Sequence, residues 1–105
     1  MAITKHFDPA RNAWVICPVG YLDLFDLPQV GEALSGTEGA DILFDCAQLR
    51  YVDSAVLKRM AETAAQKKAE GHAFRICNLQ LYIYKILEMT GLDRAFSFAE
   101  GGDAE

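Results

Sequence analysis

Two short stretches concentrate the side chains that could do chemistry, Gly20-Tyr21-Leu22-Asp23 and Leu49-Arg50-Tyr51-Val52-Asp53-Ser54. Together they offer two carboxylates and one hydroxyl. Ser54 as a nucleophile needs a neighbouring base that is itself oriented by a third group. Only His6 and His72 are histidines, and neither is well placed to serve. His6 falls in an N-terminal segment of strand character, and His72 lies at the far end of the helical segment that Ser54 opens. A helix over residues 54–70 spans about 25 Å at ~1.5 Å per residue, which puts Ser54 and His72 at opposite poles. Acid–base work by Asp23 and Asp53 requires a substrate held between them, and the short chain offers no deep second layer to hold one. Catalysis is therefore not expected. A plainer role for Ser54 is a hydroxyl cap at a helix start.

The elements that must position these residues follow from the period of the apolar residues. Residues 12–21, rich in β-branched and aromatic side chains, read as a strand, with a shorter strand over residues 3–7 pairing across Asp8-Pro9-Ala10-Arg11. Asp26 offers a helix cap with Pro28 in the first turn and Gln29 at the third position, ahead of Val30, Ala33 and Leu34. Residues 42–46 are short and nearly all apolar, as in a central strand covered on both faces. From Asp53 the period changes. Val56, Leu57, Met60, Ala61 and Ala64 line one helical face, and Lys58, Arg59, Glu62, Gln66 and Lys67 the other, with Asp53 or Ser54 as cap and Gly71 as stop. Residues 73–77 read as the next strand. Asn78 can cap a third helix bearing Leu79, Ile83, Ile86 and Leu87, closed by Gly91, and Phe96 and Phe98 suggest a last short strand. The order ββαβαβαβ implies a mixed sheet with parallel pairs joined by right-handed crossovers. Asp23 and the Asp53-Ser54 turn then share the carboxyl edge of the strands, where helix N-termini also point.

Composition bounds the function. A chain of 105 residues with 51% hydrophobic and 24% charged residues suits one folded domain, here residues 1–99, followed by an acidic, glycine-rich tail over residues 100–105. Ten basic against fifteen acidic side chains give a net charge of −5, which disfavours nucleic acid and anionic lipid surfaces. The basic cluster Gln66-Lys67-Lys68 reads as a solvated helix face. No apolar run approaches the roughly 20 residues of a membrane span, and the N-terminus lacks the basic-then-apolar order of a signal peptide, so a cytoplasmic location is expected. Cys17, Cys46 and Cys77 are widely spaced among strand-like neighbours and read as buried hydrophobes, with neither metal nor cofactor expected.

Over almost its whole length the chain resembles the STAS domains, specifically the bacterial anti-sigma factor antagonists. Gly20-Tyr21-Leu22-Asp23 is similar to the family's Gly-x-Leu-Asp turn, residues 42–49 to its central strand and following loop, and Tyr51-Val52-Asp53-Ser54 to its phosphorylation motif. Ile86-Leu87-Glu88-Met89-Thr90-Gly91-Leu92 resembles the helix that ends in Thr/Ser-Gly-Leu. The resemblance implies a four- to five-stranded mixed sheet with helices packed mainly on one face. It implies a protein-binding switch: Ser54 accepts phosphate from a GHKL-type serine kinase that is itself an anti-sigma factor, and the unmodified form binds that kinase. A PP2C-type phosphatase resets it. Asp23 and Asp53 would shape the site, with Ala55 and Val56 standing where the family commonly has Ser/Thr-Gly. The alternative is a STAS subunit of a signalling scaffold or transporter complex that is never phosphorylated. Leu81, Tyr82 and Tyr84 exceed the core stripe of the third helix, which suggests a second interface for self-association or a scaffold.

Overall fold

In the computed structural model, residues 2–98 are described; the predicted tail over 100–105 lies outside them. Strands β1 (Ala2–Asp8) and β2 (Ala13–Leu22) form an antiparallel hairpin with Phe7 opposite Trp14 and Thr4 opposite Cys17. At the turn the Asp8 carboxylate accepts the Ala10 N–H at 3.0 Å, and Asn12 takes a left-handed conformation, φ 50°. Asparagine is among the few residues that tolerate that region.

Helix α1 (Leu27–Leu34) leads to β3 (Asp41–Asp45), β4 (Leu49–Val52), α2 (Ser54–Ala69), β5 (Phe74–Cys77), α3 (Leu81–Thr90) and β6 (Ser97–Phe98). The sheet runs β1-β2-β3-β5-β6, with β4 pairing the end of β2. Among the described residues only β1 is antiparallel to its neighbour; β2–β3, β2–β4, β3–β5 and β5–β6 are parallel. Among the described residues the sheet therefore has six strands, one more than the period of the sequence suggests. The addition is β4, a four-residue strand with the burial order in-out-out-in, which carries no alternation to betray it. As expected, β3 is central, and Ile42, Leu43 and Phe44 are all buried.

Alternation across β3 sorts the core into two layers. Ile42 and Phe44 face the helices, opposite Phe74 and Ile76, and join Val30, Val56, Met60, Ile83 and Leu87 in the main cluster. Val15, Leu43 and Cys77 form a small separate cluster, with the half-buried Cys17 packed against it. Each fully buried aliphatic or aromatic side chain is worth ~1.5–3 kcal/mol, so the helix-facing layer carries most of the stabilisation. Burial raises the proton affinity of all three thiols, and the Asp45 carboxylate adds to the effect; the Cys77 pKa rises to about 11 and that of Cys46 lies higher still. Full burial holds for Cys46 and Cys77, but Cys17 near the sheet margin is only partly covered.

Two polar anchors fix the opposite end of the sheet. The Asp41 carboxylate accepts from the Ala73 N–H at 3.0 Å, Arg75 at 2.8 Å and His72 at 3.2 Å. Burial pulls the Asp41 pKa upward, but these three donors outweigh it and hold the group below its ordinary range. Lys67 does not belong to a solvated face. It is 4% exposed, and its amine donates to the carbonyls of Thr37 and, at 2.8 Å, Ala40. A long lysine stem lets the charge reach carbonyls beyond the helix, which a reading of helical period cannot register.

Candidate functional site

The edge that gathers Asp23, Asp53 and Ser54 is built by β4. Leu22 pairs with Val52 in the parallel β2–β4 ladder, both side chains are buried, and the next residue of each strand turns out of the sheet. The Asp53 N–H donates to the Leu22 carbonyl at 2.8 Å, so the two exits are tied together. The register slips between Gly20 and Tyr21, where Gly20 adopts φ +89° while its N–H donates to the Gln48 carbonyl at 2.9 Å. The space around Gly20 is open, so conformation and not crowding selects glycine there.

Asp23 and Asp53 both prove to be caps. Asp53 sits at the N-cap of α2, and its carboxylate accepts the Ala55 N–H at 2.8 Å. Asp23 caps a 3-10 turn, Leu24–Asp26, by accepting the Phe25 N–H at 2.9 Å, and Asp26 accepts the Asp23 N–H at 2.9 Å in return. This reciprocal capping box shifts the expected helix start: Asp26 flanks α1 without a side-chain cap bond, because its carboxylate is turned back to Asp23. Asn78 likewise does not cap α3. It is left-handed at φ 58°, with its amide donating to Asp45 at 2.9 Å, and Gln80 precedes the helix.

Ser54 is exposed as the first residue of α2. Asp53 does the capping that local sequence could equally assign to Ser54, so the hydroxyl is not committed to the helix start. Lys58, also exposed, follows one turn later. Ala55 is half-buried. Val56 does not lie on this face: it is 0% exposed and packs in the main core, as its place in the apolar stripe of α2 implies, so it does not shape a partner-facing surface.

Between the two aspartates of the capping box, Leu24 is 53% and Phe25 88% exposed. Tyr21 and Tyr51, also exposed, are cross-strand neighbours with ring centroids 6.2 Å apart. Sequence reading passed over Leu24 and Phe25, although Asp23-x-x-Asp26 has capping-box spacing and so signals a helical start at Asp23, three residues before Asp26. On α3, Leu81 (66%) and Tyr82 (46%) are exposed. Tyr84 is not: it is half-buried against the core and meets Phe98 edge-on at 5.2 Å, which removes it from a surface patch.

A mixed sheet with helices packed on one face and an exposed serine at a helix start defines a class of small α/β domain. Residues 10–102 match the family model described as the STAS domain, and the chain belongs to that family. Solved structures with the same fold include the anti-sigma factor antagonist SpoIIAA in its unphosphorylated form, at 16% identity and TM-score 0.75, covering 95% of this chain and 89% of that one. A serine-to-glutamate variant of RsbS from Moorella thermoacetica aligns at 20% identity and TM-score 0.75, over 96% and 88% of the two chains. An anti-sigma factor antagonist from Mycobacterium paratuberculosis aligns at 19% and 0.73, over 95% and 87%. No curated protein matches the sequence significantly.

Proposed function

We propose that this chain is a phosphorylation-controlled protein-binding switch of the anti-sigma factor antagonist kind, engaging a GHKL-type serine kinase while Ser54 is unmodified. The observation that carries the reading is the division of labour at the start of α2. Asp53 caps the helix, and Ser54 keeps an exposed hydroxyl on the edge shared with Asp23. A phosphate there adds a charge of about −1.5 to −2 at the positive end of a helix dipole, which tolerates an anion. The fold is thus spared, while Asp23 and Asp53 make the edge more strongly negative toward a partner. A PP2C-type phosphatase would restore the binding form.

The test is the intact mass of the protein purified from its own host at rest and under stress, with the modified residue mapped, together with titration of the parent and Ser54→Asp against purified GHKL-type serine kinases of that host. Phosphate on Ser54 and loss of binding in Ser54→Asp are expected. An unmodified Ser54 in both states, with binding unchanged by Ser54→Asp, assigns the chain instead to a constitutive STAS subunit of a scaffold or transporter complex.

A further inference from the structure

The capping box that turns Asp23 and Asp26 back onto the backbone has a second effect. It leaves Leu24 and Phe25 as the outward chemistry of the turn, 53% and 88% exposed. An exposed pair of this size, in a turn held by two reciprocal hydrogen bonds at 2.9 Å, projects from a fixed backbone. Fixing the backbone of a loop before binding removes part of the ordering cost of association. The turn approaches α2 to within 8 Å between Cα atoms, and the Asp53–Leu22 hydrogen bond holds the start of α2 beside it.

We infer that Leu24 and Phe25 are the apolar anchor of the partner interface, seating in an apolar pocket rimmed by basic side chains on the kinase that engages Ser54; this rests on the switch reading above. The rim supplies the charge argument. Asp23, Asp26 and Asp53 set three carboxylates against Arg50 and Lys58, so the edge is net negative and its complement is basic. An apolar centre within a polar rim is the usual anatomy of a protein interface. The anchor also explains how one phosphate could break the complex. Closing an apolar contact beside Ser54 strips water from whatever Ser54 carries, and a phosphate dianion among three carboxylates resists that loss far more than a hydroxyl.

The experiment titrates purified GHKL-type serine kinases of the same host against the parent chain, Phe25→Ala, Leu24→Ala, Ser54→Asp and Met89→Ala. Met89, 84% exposed on α3, is an equally exposed apolar control. Phe25→Ala is expected to weaken binding by about 30-fold or more and Leu24→Ala by about 10-fold, with Met89→Ala within about twofold. Thermal unfolding of both anchor variants should match the parent. Loss of binding in Ser54→Asp but less than about threefold change in Phe25→Ala overturns the anchor and leaves the switch standing. The reverse pattern leaves the anchor and removes the switch. Binding to no such kinase overturns both. Dimerisation of the chain alone that Phe25→Ala abolishes, seen by sedimentation, overturns the kinase as occupant in favour of a second copy.

Discussion

At the residue scale, Asp53 and Ser54 are neighbours with different tasks, and their substitutions should separate. Asp53→Ala removes the carboxylate that accepts the Ala55 N–H and should cost about 0.5–2 kcal/mol in urea unfolding. Ser54→Ala should cost less than ~0.5 kcal/mol, as for surface positions away from such features. Equal losses for the two variants would show that Ser54 shares the cap. Ser54→Asp should fold within about 1 kcal/mol of the parent, since the dipole and the exposed Lys58 one turn on both favour an anion there. Asp41 shows what a fully engaged carboxylate does. Its folded pKa lies below the ordinary value, so its contribution is present above the unfolded carboxylate range and is lost as pH falls through the folded pKa. Stability should therefore drop on acidification below about pH 4, the unfolded carboxylate range, and Asp41→Asn should flatten that limb. An unaltered acid limb in Asp41→Asn would assign the loss to other carboxylates.

At the element scale, the sheet was legible where the sequence period was clean and hidden where it was not. The 42–46 run fell where expected because a strand covered on both faces is apolar almost without a break, and the helical face Val56, Leu57, Met60, Ala64 because burial repeats at about 3.6 residues there. β4 escaped because it is a two-ended contact with exposed Arg50 and Tyr51 between buried Leu49 and Val52. Yet β4 is the element that ties Asp23 to Asp53, so the residues of the site were readable while the device joining them was not. The same limit applies to α3, where surplus apolar residues were visible but their partners were not. Its end was clear, since Gly91 closes the helix at φ +77°. Tyr84 packs against Phe98, brought there by β6, while Leu81 and Tyr82 stay exposed. Tyr84→Glu should accordingly destabilise the domain by about 2 kcal/mol or more, as burying an unpaired charge does, whereas Tyr82→Glu should stay within ~0.5 kcal/mol. If Leu81 and Tyr82 serve a second interface, Tyr82→Glu should lower self-association or scaffold binding with stability intact. A folded, fully stable Tyr84→Glu would return that residue to the surface patch.

At the scale of the whole molecule, the parallel strands carry Ser54, the capping-box turn and the start of α3 to one pole, while Asp41, His72 and Lys67 fasten the other. A charge added at the first pole touches none of the buried residues that hold the sheet to its helices. Modification at Ser54 should thus change what the surface binds without loosening the core, and the thiols allow this to be measured from inside. Cys17 is half-buried, Cys77 buried with a pKa of about 11, and Cys46 buried at 1% exposure with a pKa pushed higher again. Because the thiolate is the reactive form and must also be reached, labelling of the native protein at pH 8 should proceed in the order Cys17, Cys77, Cys46. Cys46 lies in the main cluster with Phe44 and Leu49, so its labelling requires opening of the domain itself and should follow the global unfolding equilibrium. On that basis Ser54→Asp should raise the Cys46 rate by no more than about fivefold, the factor that corresponds to ~1 kcal/mol. A Cys46 rate in Ser54→Asp that rises to match Cys17 would mean that the added charge opens the domain, and the switch would then act by unfolding and not by remaking one edge.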